Sequence, residues 1–340
     1  MTTRPLRILA PALLGLAALA APALAVGGPA DAAPATLEAA APTAPHRADS
    51  VNVRPATLDR GAGPKVPQVL GTTILDRGTK ITTRAQEVQL YGVSDGAYVI
   101  GVWGRNGSSR VERVTKDGER TTILQGIRGD ILLSTDGRQL FEGVVPRVGT
   151  TRVTVLDAVT GERVARRTFD GYVRVLDADE DRAVLGGTGP ARTFWWNNQS
   201  DLTSRISKRE GYVADIRADR VGTFSRTAEG SVGSSFVTSL AKPRTTLWRS
   251  SQQAVLAIAP SGRRLLTTYL NTDGPIGQLE VHGATGRKLV TYRTPGFFDA
   301  AAWETNQALL LTVQERDGSG VTLVRAQGTD LERASARMAP

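Results

Sequence analysis

An acidic residue, a glycine and an aromatic residue recur together at several points of the chain. Asp170-Gly171-Tyr172 and Glu210-Gly211-Tyr212 lie 40 residues apart, and Arg128-Gly129-Asp130 and Gly296-Phe297-Phe298-Asp299 contain related combinations. Carboxylates can bind cations or hydrogen-bond donors, and an exposed aromatic ring can anchor a partner. We therefore predict a ligand-binding set formed by Asp130, Asp170, Tyr172, Glu210, Tyr212, Phe298 and Asp299. The alternative is that the aromatic side chains only pack in the core.

No complete catalytic set is visible in the sequence. Gly92-Val93-Ser94-Asp95-Gly96 matches the string of a nucleophile elbow, which needs a strand-to-helix turn and a histidine partner. The two histidines are His46, in an Ala/Pro-rich stretch, and His282, which we place in a hairpin turn. There is no cysteine, which excludes thiolate nucleophiles and thiolate metal sites. We predict no catalytic residue and no cofactor.

A run of carboxylates at Asp177, Asp179 and Asp181 has the spacing of a calcium loop. An EF-hand would place glycine at Arg182 and glutamate at Thr188, and the sequence has neither. We predict a solvated turn without metal and leave calcium as the alternative.

The elements that would position these residues form a repeat. After Val69 the chain consists of short alternating runs rich in Val, Thr, Leu and Arg, separated by turns. One turn series is Ser94-Asp95-Gly96, Thr135-Asp136-Gly137, Glu180-Asp181, Ala218-Asp219, Ser261-Gly262 and Thr305-Asn306. A second is Asp117-Gly118, Thr160-Gly161, Asn197-Asn198, the region of Pro243, Thr285-Gly286 and Gln327-Gly328. The two series share a period of about 42 residues, so each unit has four strands.

Four strands per unit predict an all-β protein, a β-propeller of six four-stranded blades, with seven as the alternative. The hairpin of residues 71–85 precedes the first full unit, and we expect it to close the ring by completing the last blade. In such a ring, the connections from one blade's fourth strand to the next blade's first strand surround the mouth of the central channel. The predicted ligand set belongs to these connections.

At the Asp-Gly turns and the Asp157-Ala158-Val159-Thr160-Gly161-Glu162 turn, the chain resembles secreted bacterial β-propeller proteins of the WD40-like, TolB-like and YVTN-like group. The resemblance spans about Val69 to Met338. It implies a docking platform for a ligand or protein, although the group includes some hydrolases and lyases. Its motifs specify the fold and not the activity.

The N-terminal region differs in composition from the repeats. Residues 1–25 combine Arg4 and Arg7 with an apolar run and an Ala23-Leu24-Ala25 cleavage site, which predicts a secretory signal peptide. Residues 26–67 are rich in Ala and Pro, which predicts a flexible linker. Residues 68–340 form the predicted propeller domain, with no transmembrane segment in the mature chain.

We therefore predict a secreted or extracytoplasmic, monomeric, non-catalytic module that binds a protein or a cell-envelope ligand through one face of the ring. One alternative is a metal-assisted hydrolase or lyase that acts on polysaccharide or lactone through channel-facing carboxylates. The formal net charge of +9 raises a third hypothesis, a polyanion binder. Because the arginines are scattered along the sequence, we predict no specific nucleic-acid binding.

Overall fold

The computed structural model describes residues 48–227, 231–270, 272 and 274–339. The predicted signal peptide and residues 26–47 of the predicted linker lie outside them. The described part is almost entirely β-structure, with one short 3-10 helix at Pro55–Thr57. Its N-terminal strands are β1 Asp49–Asn52, β2 Gln68–Leu70, β3 Thr73–Asp76 and β4 Thr79–Thr82.

Six four-stranded blades follow, as the period predicts. Blade one is β5 Glu87–Ser94, β6 Ala97–Trp103, β7 Ser109–Val114 and β8 Arg120–Gln125. Blade two is β9 Asp130–Leu133, β10 Gln139–Arg147, β11 Thr150–Asp157 and β12 Arg163–Asp170. Blade three is β13 Tyr172–Asp179, β14 Arg182–Thr188, β15 Arg192–Asn197 and β16 Leu202–Ser207.

Blade four is β17 Glu210–Asp215, β18 Arg220–Arg226, β19 Val232–Thr238 and β20 Thr246–Ser250. Blades five and six share one long strand: β21 Gln253–Ile258, β22 Arg264–Tyr269, β23 Ile276–Gly283, β24 Lys288–Trp303, β25 Leu309–Gln314, β26 Val321–Gln327 and β27 Asp330–Arg333. The first half of β24 pairs with β23 and its second half pairs with β25. It is therefore the fourth strand of blade five and the first strand of blade six.

The turns that define the repeat lie between strands, as predicted. Asp95, Glu180 and Asp219 have φ values of 45°, 52° and 56° at the hairpins between first and second strands. Asp tolerates this left-handed region because its short polar side chain hydrogen-bonds locally. The hairpins keep each blade antiparallel, so all first strands begin at the same face of the ring. We call this the upper face, defined by Glu87, Asp130, Tyr172, Glu210 and Gln253, and the opposite one the lower face.

Apolar side chains fill the space between neighbouring blades. Phe141 and Val153 of blade two meet Leu185 and Trp196 of blade three in one cluster, and all four are at most 1% exposed. First strands of consecutive sheets contact each other in chain order. Because each sheet hides its faces only against its neighbours, the core of this fold is a series of interfaces arranged as a ring.

The seventh sheet corrects the predicted mode of closure. The hairpin of residues 71–85 does form, as β3 and β4, but β2 joins it in a separate three-stranded sheet. Blade six already has four strands of its own. The three-stranded sheet packs on blade one through Ile74 and contacts blade six through β26. It is a partial seventh blade, and it closes the ring by packing and not by strand exchange.

The predicted linker also needs correction at its C-terminal end. Within residues 48–67, β1 pairs in parallel with β24, Val53 is fully buried, and Arg60 forms a parallel β-bridge with Arg333, the last residue of β27. Backbone pairing with blades five and six orders this segment, although its Ala/Pro-rich composition predicts a flexible chain. We call residues 48–67 the N-terminal strap.

Candidate functional site

The glycine at three of the recurrent combinations, Gly129, Gly171 and Gly296, has a structural reason. A Cβ atom on Gly129, Gly171 or Gly296 would overlap a carbonyl oxygen on the second strand of its own blade. The three carbonyl oxygens belong to Gly143, Thr188 and Gln314. Glycine is required because the chain passes directly against the blade as it enters it. The recurrence thus reflects close packing of the backbone.

Tyr172 is exposed on the upper face beside the tip of a hairpin from the preceding blade. The N–H of Gly171 donates to the carbonyl of Gly149 at 2.7 Å, which ties the start of β13 to the β10–β11 turn. Two valines of this hairpin, one near the end of β10 and one in the turn, are also exposed: Tyr172 is 48% exposed, Val145 50% and Val148 88%. These three exposed apolar side chains, which we call the apolar patch, lie at the upper end of blades two and three, where β13 contacts β10 and β11.

An ion pair lies on the same face. Arg174 Nε donates to Asp130 Oδ2 at 3.1 Å, and both side chains are about half exposed. The pair joins the first strands of blades two and three. Asp130 belongs to the predicted ligand set and Arg174 does not, because the two residues are 44 positions apart and no local motif connects them.

Asp299 lies at a bulge in β24, unpaired between Phe298 and Ala300. Burial, with a smaller contribution from the charge of Glu87, raises the pKa of this carboxyl group. Glu87 begins β5 and was not part of the predicted set. Asp170 is exposed at the end of β12, where its carbonyl oxygen accepts a hydrogen bond from Arg192 Nη2 at 2.6 Å.

Three residues of the predicted set are engaged inside the protein, which corrects their assignment as ligand contacts. Glu210 is 8% exposed and pairs with Arg226 on β18. Tyr212 stacks on Phe224 at 3.9 Å, and its hydroxyl contacts Ser235 Oγ and accepts from Val255 N–H. Burial raises the pKa of Tyr212 to about 12.

Phe298 is 2% exposed in the core of blades five and six. For these aromatic side chains the alternative of core packing holds. The aromatic that remains accessible is Tyr172, because it points away from the core cluster that contains Val173.

The acidic run around Asp177 has a structural role. Asp177 Oδ1 accepts from Thr135 Oγ1 at 2.9 Å and from Ala178 N–H at 2.8 Å, and Oδ2 accepts from Ile216 N–H at 2.6 Å. One carboxylate therefore joins blades two, three and four. Burial raises its pKa to about 6. No group of three or more metal-ligating side chains occurs in the described part of the chain.

The serine string is a hairpin, as predicted. Ser94 ends β5, is 1% exposed, and is followed by the Asp95-Gly96 turn into β6. His282 lies on β23, where its ring contacts Glu280 Oε2 at 3.1 Å. Within the residues that the structure describes, no helix is long and apolar enough to cross a membrane.

No protein-family model and no curated protein sequence matches this chain. Solved structures share its fold. The β-propeller domain of the Trilobed protease from Pyrococcus furiosus is 10% identical with a TM-score of 0.57, and the match covers 84% of this chain and 98% of that one. Acylaminoacyl peptidase from Pyrococcus horikoshii is 9% identical with a TM-score of 0.53, over 82% of this chain and 53% of that one. At such low identity these similarities establish the β-propeller fold alone.

Proposed function

We propose that this β-propeller is an extracytoplasmic, non-catalytic module that binds a protein through the upper face of blades two and three. The observation that carries the proposal is the exposure of Val145, Val148 and Tyr172 on the same face that carries the Asp130–Arg174 ion pair. The propeller fold supports a binding role in general. The export signal predicted in residues 1–25 supports a location outside the cytoplasm.

The patch has the composition of a binding hot spot. Tyrosine and arginine are enriched at the centres of protein interfaces, and a rim of charge sets orientation. Val148 is 88% exposed at the tip of a hairpin that is held by hydrogen bonds. A rigid exposed side chain loses little conformational entropy when a partner covers it, so its apolar area contributes directly to affinity.

The test replaces the patch and a matched position on the lower face. Val148→Asp with Tyr172→Ala changes the patch, and Leu202→Asp changes a side chain that is 70% exposed at the other end of blade three. With a photo-crosslinking residue at position 145, we expect one partner to be crosslinked to the wild type and to Leu202→Asp, and to be absent from the double variant. Equal crosslinking by all three proteins, or a loss of crosslinking only with Leu202→Asp, contradicts the proposal.

One observation favours the enzyme alternative. Asp299 is exposed at the bulge of β24, and the charge of Glu87 contributes to the rise in the pKa of its carboxyl group. Two such carboxylates could hold a cation or transfer a proton. Elemental analysis of the purified protein distinguishes the proposals: a stoichiometric metal that disappears in Asp299→Asn with Glu87→Gln would favour the metal-assisted enzyme, and a metal-free protein would favour the binding module.

A further inference from the structure

A groove on the outer rim between blades three and four is lined by cations. It has a volume of about 570 Å³ and is bordered by Arg205, Lys208, Arg209 and Arg244, with hydroxyl groups from Ser207 and Thr246. No acidic side chain lines it. The cluster has no local signature in the sequence, because β17, β18 and β19 lie between Arg209 and Arg244.

The groove cations are not neutralised by the rest of the described chain. Arg205, Lys208, Arg209 and Arg244 are exposed, and none of the ion pairs within the described residues includes them. Uncompensated charges of one sign in a concave surface raise the local concentration of counter-ions, and the effect is larger in a cleft than on a flat surface.

A second groove of about 300 Å³ lies between blades two and three and shares Arg205 with the first. It adds Arg192, with hydroxyl groups from Thr203 and Ser204, and Arg167, which pairs with Asp201 at 2.9 Å. Asp170 is the one acidic residue in its lining, and the carbonyl oxygen of Asp170 accepts a hydrogen bond from Arg192. Strand β16 therefore separates two cationic grooves that meet at one arginine. An extended ligand could contact both.

Buried phenylalanine rings hold several of these arginines in place. The guanidinium of Arg209 lies 3.8 Å from the ring centroid of Phe236, and that of Arg192 lies 5.0 Å from Phe194. The ring face fixes the plane of the guanidinium group. Its N–H groups remain at the edge, where they suit the paired oxygens of a carboxylate, sulfate or phosphate.

We infer that these two grooves form a second binding surface, for an anionic polysaccharide. The arginines would pair with acidic groups along the polymer, and the serine and threonine hydroxyls would bond to sugar hydroxyls. Single-stranded nucleic acid is the less suitable polymer because it needs aromatic faces for base stacking. The rings at the grooves, Phe169, Phe194 and Phe236, are 5–7% exposed and their faces are occupied by arginine.

The experiment measures binding to fluorescent polygalacturonate with two charge-matched triple variants. Arg205→Ser, Lys208→Ser and Arg244→Ser remove three groove cations. Arg105→Ser, Arg287→Ser and Arg316→Ser remove three exposed cations from blades one, five and six. Melting temperatures of both variants are compared with the wild type to verify the fold.

We expect the groove triple to bind at least about tenfold more weakly at low salt, and its affinity to depend less steeply on salt, because three fewer cations displace counter-ions from the polymer. The control triple should stay within about threefold of the wild type, because only long-range attraction changes. If the affinity falls equally in both triple variants, the polymer binds through the overall charge of the protein, and the two grooves are not a specific binding surface. Absence of binding, competition by neutral dextran, or tighter binding of a single-stranded oligonucleotide of matched charge would each overturn the assignment to an anionic polysaccharide.

Discussion

At the scale of single residues, the acidic run around Asp177 connects neighbouring blades and is not available to a partner. Asp177 uses both carboxylate oxygens to connect three blades, and it is 9% exposed. Arg217, beside it, pairs with Asp179 at 2.9 Å. The acidic run is therefore stabilised by hydrogen bonds and by an arginine.

We expect protonation of Asp177 to stabilise the fold. Burial raises its pKa to about 6 in the folded protein, from 3.8 as the ordinary value. Between pH 7 and pH 5 the folded state therefore takes up a proton that the unfolded chain does not, and the free energy of unfolding should rise, by about 1 kcal/mol. Urea denaturation at several pH values measures this change.

Asp177→Asn provides the comparison, because it cannot titrate. An amide N–H₂ would face the N–H of Ile216, so this variant should be less stable by about 1–3 kcal/mol and should lack the rise between pH 7 and pH 5. Asp181→Asn removes a carboxylate from the same run and should retain the rise. An identical pH profile in Asp177→Asn and the wild type would contradict the role of this residue.

Local turn chemistry was predictable at this scale, and partnerships across space were not. The Asp-Gly turns follow from the residues themselves, because few side chains accept a positive φ. By contrast, Arg174 meets Asp130 only after two blades are placed side by side. The sequence also does not show that Tyr172 is exposed and Tyr212 is engaged inside the protein, because each tyrosine follows an acidic residue and a glycine.

At the scale of elements, the N-terminal strap depends on one buried arginine. Arg325 on β26 donates to the carbonyl oxygens of Ala62 at 3.1 Å and Gly63 at 2.8 Å. It also pairs with Glu304, whose other contact is the N–H of Lys65 at 2.7 Å. Although burial opposes the charged form, the hydrogen bonds from Arg325 and Lys65 lower the pKa of Glu304.

Arg325→Gln should release the strap and destabilise the protein by about 3–5 kcal/mol, because the carboxylate of Glu304 loses its cation while it stays buried. Trypsin should then cleave faster after Arg60 and Lys65. The double variant with Glu304→Gln leaves no buried charge and should recover part of the stability. If the double variant is as unstable as the sum of the two single variants, the ion pair does not hold the strap.

The strap was hidden from sequence analysis for a physical reason. Strand β1 is four residues long and polar, and it pairs with a strand about 240 positions away. Neither periodicity nor composition reveals such a pairing. The blades were predictable because each is built from neighbouring hairpins, whose turns and alternating strands are local.

At the scale of the whole molecule, the partial seventh sheet decides how the ring closes. Ile74 is fully buried against Val88, Tyr98 and Ile100 of blade one. The hydroxyl of Tyr98 donates to Asp76 Oδ2 at 2.9 Å across the same interface. The sequence predicted this hairpin and the ring, but its assignment to blade six was wrong. Whether the hairpin completes blade six or forms its own sheet depends on whether residues 68–70 pair with it as a third strand. A three-residue strand is too short to show the alternation of apolar and polar residues that would predict this pairing.

If packing of this sheet closes the ring, a cavity at Ile74 should weaken the entire propeller. We expect Ile74→Ala to cost about 2–4 kcal/mol, and Ile81→Ala, a partly buried position of the same sheet, to cost less. Hydrogen exchange then tests whether the seventh sheet and the distant blade four unfold together. If they do, the slowest-exchanging amides of blade four should exchange faster in Ile74→Ala, by the factor that corresponds to the decrease in global stability. Unchanged exchange in blade four, with faster exchange confined to residues 68–82, would mean that the seventh sheet opens alone and that the six blades hold together without it.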